Sequence, residues 1–270
     1  MNKLQSKLVD MLDWFHNFCE ENDLRYYIIA GTMLGAVRHG GFIPWDDDID
    51  VGMPRSDYEK LRKIAFNQSK AKYMFEYPSF DNKDYPFLWA KLYDTTTTLV
   101  EKQKHTIKRG IYIDIFPLDG IGNSMDEAIE NYQPIKRSTN LNFIMSCSVL
   151  KRRKWYKNCL ILFGGSIVSL FMNKQKLAKK IDILCKKFDF DSCEIVSNLM
   201  GGAHEKGLVK REYFGKPTEI NFETLTVYGL ENPDLYLKSM YGDYMKLPPK
   251  EAQISYHDSI VLDLNNGYLE

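Results

Sequence analysis

The sequence predicts an α/β (α+β) fold with a mixed sheet at its core. Residues 3–22 place apolar side chains on one face at helical spacing, which is typical of an amphipathic helix. Short β-rich runs follow, and glycine, proline and asparagine separate them. The chain has 270 residues and is 44% hydrophobic, so it can bury a sizeable core without disulfide or metal staples.

Three regions follow from these patterns. Residues 1–120 are predicted as a mixed core, residues 121–200 as mainly helical and basic, and residues 201–270 as a mixed segment that completes the core. The elements predicted in the first region are helix 3–22, strand 26–30, helix 33–38, strand 48–53, helix 55–65 and strands 87–93 and 111–116. In the last region, Asn232 and Pro233 are typical of the start of a helix, which we expect to end at Gly242.

The charge distribution is uneven although the formal net charge is zero. A neutral chain argues against a nucleic-acid partner, which favours a clearly basic domain. Residues 151–187, however, hold eleven Lys or Arg and one acid, Asp182. Within them, residues 159–172 are fourteen uncharged residues, fewer than the roughly 20 that cross a bilayer. This stretch is predicted either to lie at a membrane surface between basic flanks, or to be a buried core helix with solvated ends.

Cysteine usage and the N-terminus indicate the compartment. Five cysteines without a C-x-x-C pair match neither a zinc site nor a disulfide framework. Acids interrupt every apolar run near the N-terminus, so a signal peptide is not predicted. We expect a cytoplasmic protein that contacts the inner face of the membrane peripherally.

Paired acids mark a candidate metal site. In the predicted strand, Asp48 and Asp50 share one face because side chains alternate, and their Cα atoms would lie roughly 6.6 Å apart. Asp114 has the same setting between Ile113 and Ile115. Carboxylate oxygens suit Mg²⁺ or Mn²⁺. The alternative is that the acids are solvated residues of an edge strand.

Other residues are predicted to bind a substrate. Gly31 and Thr32 stand at a helix start, where backbone N–H groups can bind phosphate. Lys91 lies on a predicted strand and could grip a phosphate, or it could be an ordinary surface lysine. Arg38 and His39 follow the glycine-led helix and are expected to reach a nucleotide. The lone C-terminal His257 has less support for a functional role.

Three blocks of sequence resemble the LicD family of phosphocholine transferases. They are AGTMLGAVRHGGFIPWDDDIDVGMPRSDYEKL at 30–61, IYIDIFPLDG at 111–120 and YLKSMYGDYMKLPP at 236–249. The resemblance implies a nucleotidyltransferase fold with residues 1–120 as its catalytic core. It also implies a CDP-choline or other CDP-alcohol donor, and relatives such as fukutin-related protein transfer ribitol phosphate. The acceptor would be a sugar hydroxyl of a lipid-linked glycan, such as a teichoic acid or lipopolysaccharide precursor, and CMP would leave.

Residue roles follow from this resemblance. Asp48, Asp50 and Asp114 are expected to hold the metal, and Asp114 either acts as general base or is only a ligand. Trp45, beside the acids, is expected to contact the substrate, since a quaternary ammonium needs aromatic faces. Three other functions remain open: a nucleotidyltransferase releasing pyrophosphate, a glycosyltransferase using a sugar nucleotide, and a non-catalytic scaffold for glycan assembly.

Overall fold

The computed structural model describes residues 1–65, 71–78, 85–101, 106–146, 154–255 and 259–269. The basic residues 151–153 and His257, which the sequence analysis singled out, lie outside these ranges. The described chain combines helices with mixed sheets, as the sequence predicts.

The helices are α1 (Lys3–Glu21), α2 (Ala30–His39), α3 (Arg55–Ala65), α4 (Met125–Ser146), α5 (Trp155–Phe171), α6 (Lys174–Cys185), α7 (Arg211–Phe214) and α8 (Pro233–Tyr241). The strands are β1 (Tyr27–Ile28), β2 (Asp50–Pro54), β3 (Tyr73–Glu76), β4 (Ala90–Asp94), β5 (Thr98–Glu101), β6 (Ile107–Arg109), β7 (Tyr112–Gly122), β8 (Ile195–Ser197), β9 (Val209–Lys210), β10 (Thr218–Phe222), β11 (Leu225–Gly229) and β12 (Ser259–Asp263). Two 3-10 helices cover His204–Gly207 and Lys250–Ala252.

A seven-stranded sheet is organised around β7. The strand order is β1-β2-β7-β4-β3, and β8 pairs with the second half of β7 and with β9. The β2/β7 pair is parallel and the other pairs are antiparallel. Every residue of β7 is buried, as expected of a strand covered on both faces. Two smaller sheets, β10-β11 and β12-β5-β6, complete the fold.

Helix α1 shows how the sequence builds this layer. A capping box begins it: the Asn2 side chain accepts from the Gln5 N–H, and the Gln5 side chain accepts from the Asn2 N–H. Its apolar stripe, including Met11, Leu12 and Phe15, is fully buried in the main core. Each such side chain contributes about 1.5–3 kcal/mol of transfer free energy.

Several predicted boundaries were wrong. Strand β2 begins at Asp50, so Asp48 precedes the strand instead of belonging to it. The reason is the neighbouring strand: β1 has two residues, and its pairing with β2 ends at Ile28 opposite Val51. Strand β4 begins at Ala90, and β7 continues to Gly122. Helix α2 begins at Ala30, which places Gly31 and Thr32 inside its first turn.

The middle region contains three helices and a strand. Helices α4 and α6 share a second core with β7 and β8, including Ile121, Tyr132 and Ile181. Asp182, the one acid of the basic stretch, lies 3.4 Å from the Arg55 guanidinium. Arg55 also pairs with the fully buried Asp119 of β7. Strand β8 lies within the predicted helical interval 121–200, because residues after α6 return to the sheet.

Helix α5 is not a buried core helix, so that alternative was wrong. Gly165 packs close to the Ile144 carbonyl of α4, where a Cβ atom would lie 2.5 Å from the oxygen. Away from this contact the helix exposes large apolar side chains. The exposed ones are Trp155, Tyr156, Phe163, Ile167, Leu170 and Phe171. Within the described residues, every helix is too short or too polar to cross a bilayer.

Candidate metal and substrate site

Three charged side chains form a row across the central sheet. Asp50 of β2 is the direct partner of Asp114 in the parallel pair with β7. Asp114 is in turn the direct partner of Lys91 in the antiparallel pair with β4. Residues paired in register project from the same face of a sheet, so these three side chains lie side by side.

Asp48 joins this row from the segment before β2. One carboxylate oxygen from each of Asp48, Asp50 and Asp114 lies within 4.8 Å of the others. A second group of the same kind combines Asp48 with Asp46 and Asp47. Three oxygens at this separation match the ligand type that hard divalent cations take, so the side chains present fit a metal ion.

Asp114 is held in place by two donors. The Trp89 indole Nε1–H donates to Asp114 Oδ1 at 2.7 Å, and the Lys91 ammonium forms an ion pair with the same oxygen. Both contacts fall on Oδ1. These contacts fix the orientation of the Asp114 carboxylate beside Asp48 and Asp50.

Lys91 is buried, so the alternative that it is an ordinary surface lysine was wrong. It is fully buried, because the segment before β4 folds back over this face and Tyr85 donates to the Trp89 carbonyl at 2.6 Å. Its ammonium lies over the rings of Tyr112 and Phe87, at 3.2 and 4.3 Å from their centroids. A buried ammonium needs such partners, and the ion pair with Asp114 supplies the charged one.

The carboxylates repel one another. Burial raises the pKa of Asp50 well above its usual value, and the charges of Asp48, Asp114 and Asp46 raise it further. Lys91 acts in the opposite direction. A bound cation would favour the charged form of Asp50 in the same way as Lys91 does.

The start of α2 positions this row. The Asp50 N–H donates to Thr32 Oγ1 at 2.9 Å, so the buried Thr32 hydroxyl joins α2 to β2. A Cβ atom on Gly31 would lie 3.1 Å from Asp46 Oδ2, so glycine here permits that carboxylate to approach. The Gly31 N–H belongs to the first helical turn, where backbone donors have no intrahelical acceptor.

A cleft of about 440 Å³ opens beside Asp50. Its volume is within the range of small-molecule sites. Aromatic side chains contribute to its wall: Phe116, Phe214, Tyr236 and Tyr241. Residues 197–207 contribute Ser197, Asn198, Gly201, Gly202, Ala203, Lys206 and Gly207.

Sequence reasoning missed the cleft wall. Tyr236 begins the third block that resembles the LicD family, but no binding role was predicted for it; its hydroxyl accepts from the Ala30 N–H at 3.3 Å. Burial raises the Tyr236 pKa to about 12, and the charge of Asp50 adds to the shift. Tyr241, within the same block, is partly exposed and lines the cleft. The Gly201-Gly202 pair was the one local signal that could have marked residues 197–207.

Comparison with known proteins identifies the family. A family model described as LicD/FKTN/FKRP, nucleotidyltransferase domain, matches residues 23–149. The lipopolysaccharide cholinephosphotransferase LicD of Haemophilus influenzae is 30% identical over 264 residues, which cover 95% of this chain and 96% of the relative. The chain belongs to the LicD family.

Other known proteins match shorter segments of the chain. Human ribitol 5-phosphate transferase FKRP is 47% identical over 45 residues, which are 17% of this chain and 9% of that protein. Mannosyltransferase regulator 4 of Saccharomyces cerevisiae is 26% identical over 133 residues, 47% of this chain and 11% of that protein. The family model covers Asp48, Asp50, Lys91 and Asp114, whereas residues 197–207 lie outside its match.

Two of the remaining predicted binding residues, Arg38 and His39, lie away from the carboxylates. Arg38 and His39 occupy the last turn of α2, roughly 9 Å of helix rise beyond Thr32. There the Arg38 guanidinium donates to the Tyr244 carbonyl at 2.7 Å. Trp45 is half-buried and packs against the main core. The structure does not bring Arg38 or His39 against the acids, and their contact with a nucleotide stays a prediction.

Proposed function

We propose that this chain is a metal-dependent transferase of alcohol phosphates. It would move phosphocholine, or a similar alcohol phosphate, from a CDP-alcohol to a sugar hydroxyl of a cell-surface glycan precursor. The observation that carries the proposal is the convergence of Asp48, Asp50 and Asp114 within 4.8 Å at the edge of a cleft. The names of two relatives, a cholinephosphotransferase and a ribitol 5-phosphate transferase, support the transfer of an alcohol phosphate.

The side chains support this chemistry in separate roles. Asp48, Asp50 and Asp114 would hold Mg²⁺ or Mn²⁺, and Thr32 fixes β2 against α2 so that Asp50 keeps its position. When bound, the cation supplies positive charge that stabilises the donor phosphates and the departing CMP. The description of the matching family model as a nucleotidyltransferase domain supports assigning the mixed sheet to that fold.

The proposed reaction balances without a further reactant. The acceptor oxygen forms a bond to the distal phosphorus, the bond from that phosphorus to the bridging oxygen breaks, and its electron pair leaves with CMP. The hydroxyl proton passes to a base. Trp89 and Lys91 both contact Asp114 Oδ1 and hold this carboxylate in place beside Asp48 and Asp50, which favours a metal ligand over a proton acceptor for Asp114.

A nucleotidyltransferase that releases pyrophosphate is the second candidate, because the same carboxylates would serve it and the family model bears that name. Incubation with Mg²⁺ and a panel of CDP-choline, CDP-ethanolamine, CDP-glycerol and CDP-ribitol, with a glycan acceptor, separates the two. Release of CMP with one CDP-alcohol supports the proposal. Release of pyrophosphate from CTP, with every CDP-alcohol intact, would overturn it.

We further propose that α5 rests on an anionic membrane surface, where a lipid-linked acceptor would lie. Phe163, Leu170 and Phe171 are mostly exposed on this helix. Exposed lysines follow it on α6, at Lys176, Lys179 and Lys180. Apolar side chains beside basic residues are the combination that binds anionic lipid headgroups. This would place the protein at the inner face of the membrane.

A further inference from the structure

We infer that Lys206 binds the diphosphate of the nucleotide donor within the cleft beside Asp50. This inference rests on the proposed function, since a CDP-alcohol is the ligand. It adds a binding residue from a segment that the family model does not reach.

The segment 197–207 is fixed at both ends by the central sheet. Ser197 ends β8 and pairs with Asp119 of β7, while Val209 pairs back onto Val196 of β8. The residues between therefore form a loop anchored on the same strand, β7, that carries Asp114. Such an anchor places the loop beside the metal-binding row without any motif of its own.

Glycines keep this loop open towards the cleft. A Cβ atom on Gly202 would meet nothing within 4 Å, so this position borders open space. A Cβ atom on Gly201 would lie 2.6 Å from the Asn198 amide nitrogen, whose side chain shapes the turn by accepting from the Met200 N–H. Backbone N–H groups that a side chain does not cover can approach an anion closely.

The neighbours of Lys206 are engaged elsewhere. Glu205 forms an ion pair with Lys136 of α4 at 2.8 Å, and His204 Nδ1 lies 3.4 Å from the Tyr132 hydroxyl. Lys206 itself is exposed and forms no ion pair with any part of the chain that the structure describes. Its ammonium is therefore available to a ligand.

The charges of the cleft match a diphosphate bridged by a cation. Among the described residues that line it, Lys206 is the one cation and Asp50 is the one carboxylate. A metal ion at Asp50 would neutralise part of the donor's charge, and a lysine neutralises another part as a point charge. Lys91, the lysine expected to do this, is buried against Asp114 instead.

The test compares Lys206→Met with a matched control, Lys210→Met. Lys210 is an exposed lysine close by in sequence that pairs with Glu212 and does not line the cleft. Binding of CDP in the presence of Mg²⁺ is measured by calorimetry, and CMP release from CDP-choline is measured at steady state. Lys206→Met should weaken CDP binding and raise KM about tenfold or more with kcat changed less, and Lys206→Arg should stay within about threefold of the parent.

The two measurements separate the inference from the proposed function. If the parent protein binds CDP but releases CMP from no CDP-alcohol, the proposed function fails and the binding data still decide the role of Lys206. If Lys206→Met and Lys210→Met bind CDP equally well, or the parent does not bind CDP at all, the inference is overturned. Because Lys206 is exposed, thermal melting of the variants should match the parent.

Discussion

The row of Asp50, Asp114 and Lys91 and helix α5 both depart from the usual distribution of side chains: charged residues are buried in the row, and apolar residues are exposed on α5. In the row, Lys91 and Asp114 are 1% and 6% exposed, although such residues are seldom buried. On α5, Leu170 and Phe171 are 80% and 84% exposed, although such residues usually lie in the core. Each arrangement would be relieved by the partner proposed for it: a cation with a phosphate for the row, and a lipid surface for α5.

The two regions differ in how firmly they are held. The row is fixed by the Trp89 and Lys91 contacts to Asp114 and by the bond from Asp50 to Thr32. Helix α5 is fixed on one side, where Gly165 packs against α4. Preorganised polar groups are what catalysis requires, whereas a surface that meets lipid needs only an exposed apolar face.

The largest effect should come from Asp50→Asn. Because metal stabilisation is worth several kcal/mol, turnover of the CDP-alcohol should fall on the order of a thousandfold or more. The exposed Asp13 of α1 offers the control Asp13→Asn, which should keep full activity. Near-normal turnover of Asp50→Asn with Mg²⁺ present would contradict the assignment of Asp50 as a metal ligand.

Asp50→Asn should also change how the stability of the metal-free fold depends on pH. The folded state raises the Asp50 pKa above its unfolded value of about 3.9. The charged carboxylate therefore destabilises the metal-free fold increasingly as pH rises from about 4 towards the folded pKa. In EDTA at pH 7, Asp50→Asn should melt at the same temperature as the parent or higher. A clearly lower melting temperature would show that the charge of Asp50 is already compensated within the chain.

The next largest effect should come from Lys91→Met. This change leaves Asp114 buried without its ammonium partner, and breaking a buried pair on one side costs about 3–5 kcal/mol. Urea unfolding in EDTA measures the loss, with Lys210→Met as the exposed control. A loss below about 1 kcal/mol would mean that the row tolerates an unpaired carboxylate, which would weaken the contrast with α5.

Thr32→Val should have an intermediate effect. Valine keeps the shape of threonine but cannot accept the Asp50 N–H, and an unsatisfied buried donor costs about 1–3 kcal/mol. Urea unfolding should show that loss, together with reduced turnover, while Thr32→Ser should retain most of both. If valine preserved both turnover and stability, the Thr32 hydroxyl would not position Asp50.

The smallest effect on the isolated protein should come from α5. Replacing Phe163, Leu170 and Phe171 together by serine should leave thermal stability nearly unchanged, since these side chains are mostly exposed. Co-sedimentation with vesicles of phosphatidylglycerol and phosphatidylcholine should fall about tenfold or more, because buried apolar area drives interfacial binding. The control is Ile260→Ser, an exposed apolar residue of β12. Equal sedimentation of parent and triple variant would remove the membrane proposal.

The sequence by itself predicted several of the helices and identified the acids. Helical periodicity predicted α1, and the Asn232-Pro233 signal predicted α8 with its end at Gly242. Strand alternation pointed to one face shared by Asp48 and Asp50, and these two acids do lie near Asp114, although Asp48 precedes the strand. These predictions succeed because periodicity and capping depend on residues a few positions apart.

The tertiary structure alone decided which side chains are covered. Lys91 is buried because residues 85–89 fold back over β4. The alternation of side chains along a strand does not predict such a contact. The cleft brings residues 197–207 and α8 next to Asp50, more than 140 positions earlier in the chain. Helix α5 has one face covered because of where α4 lies. Burial depends on how elements that are distant in the sequence pack against one another. No local stretch of sequence contains that information.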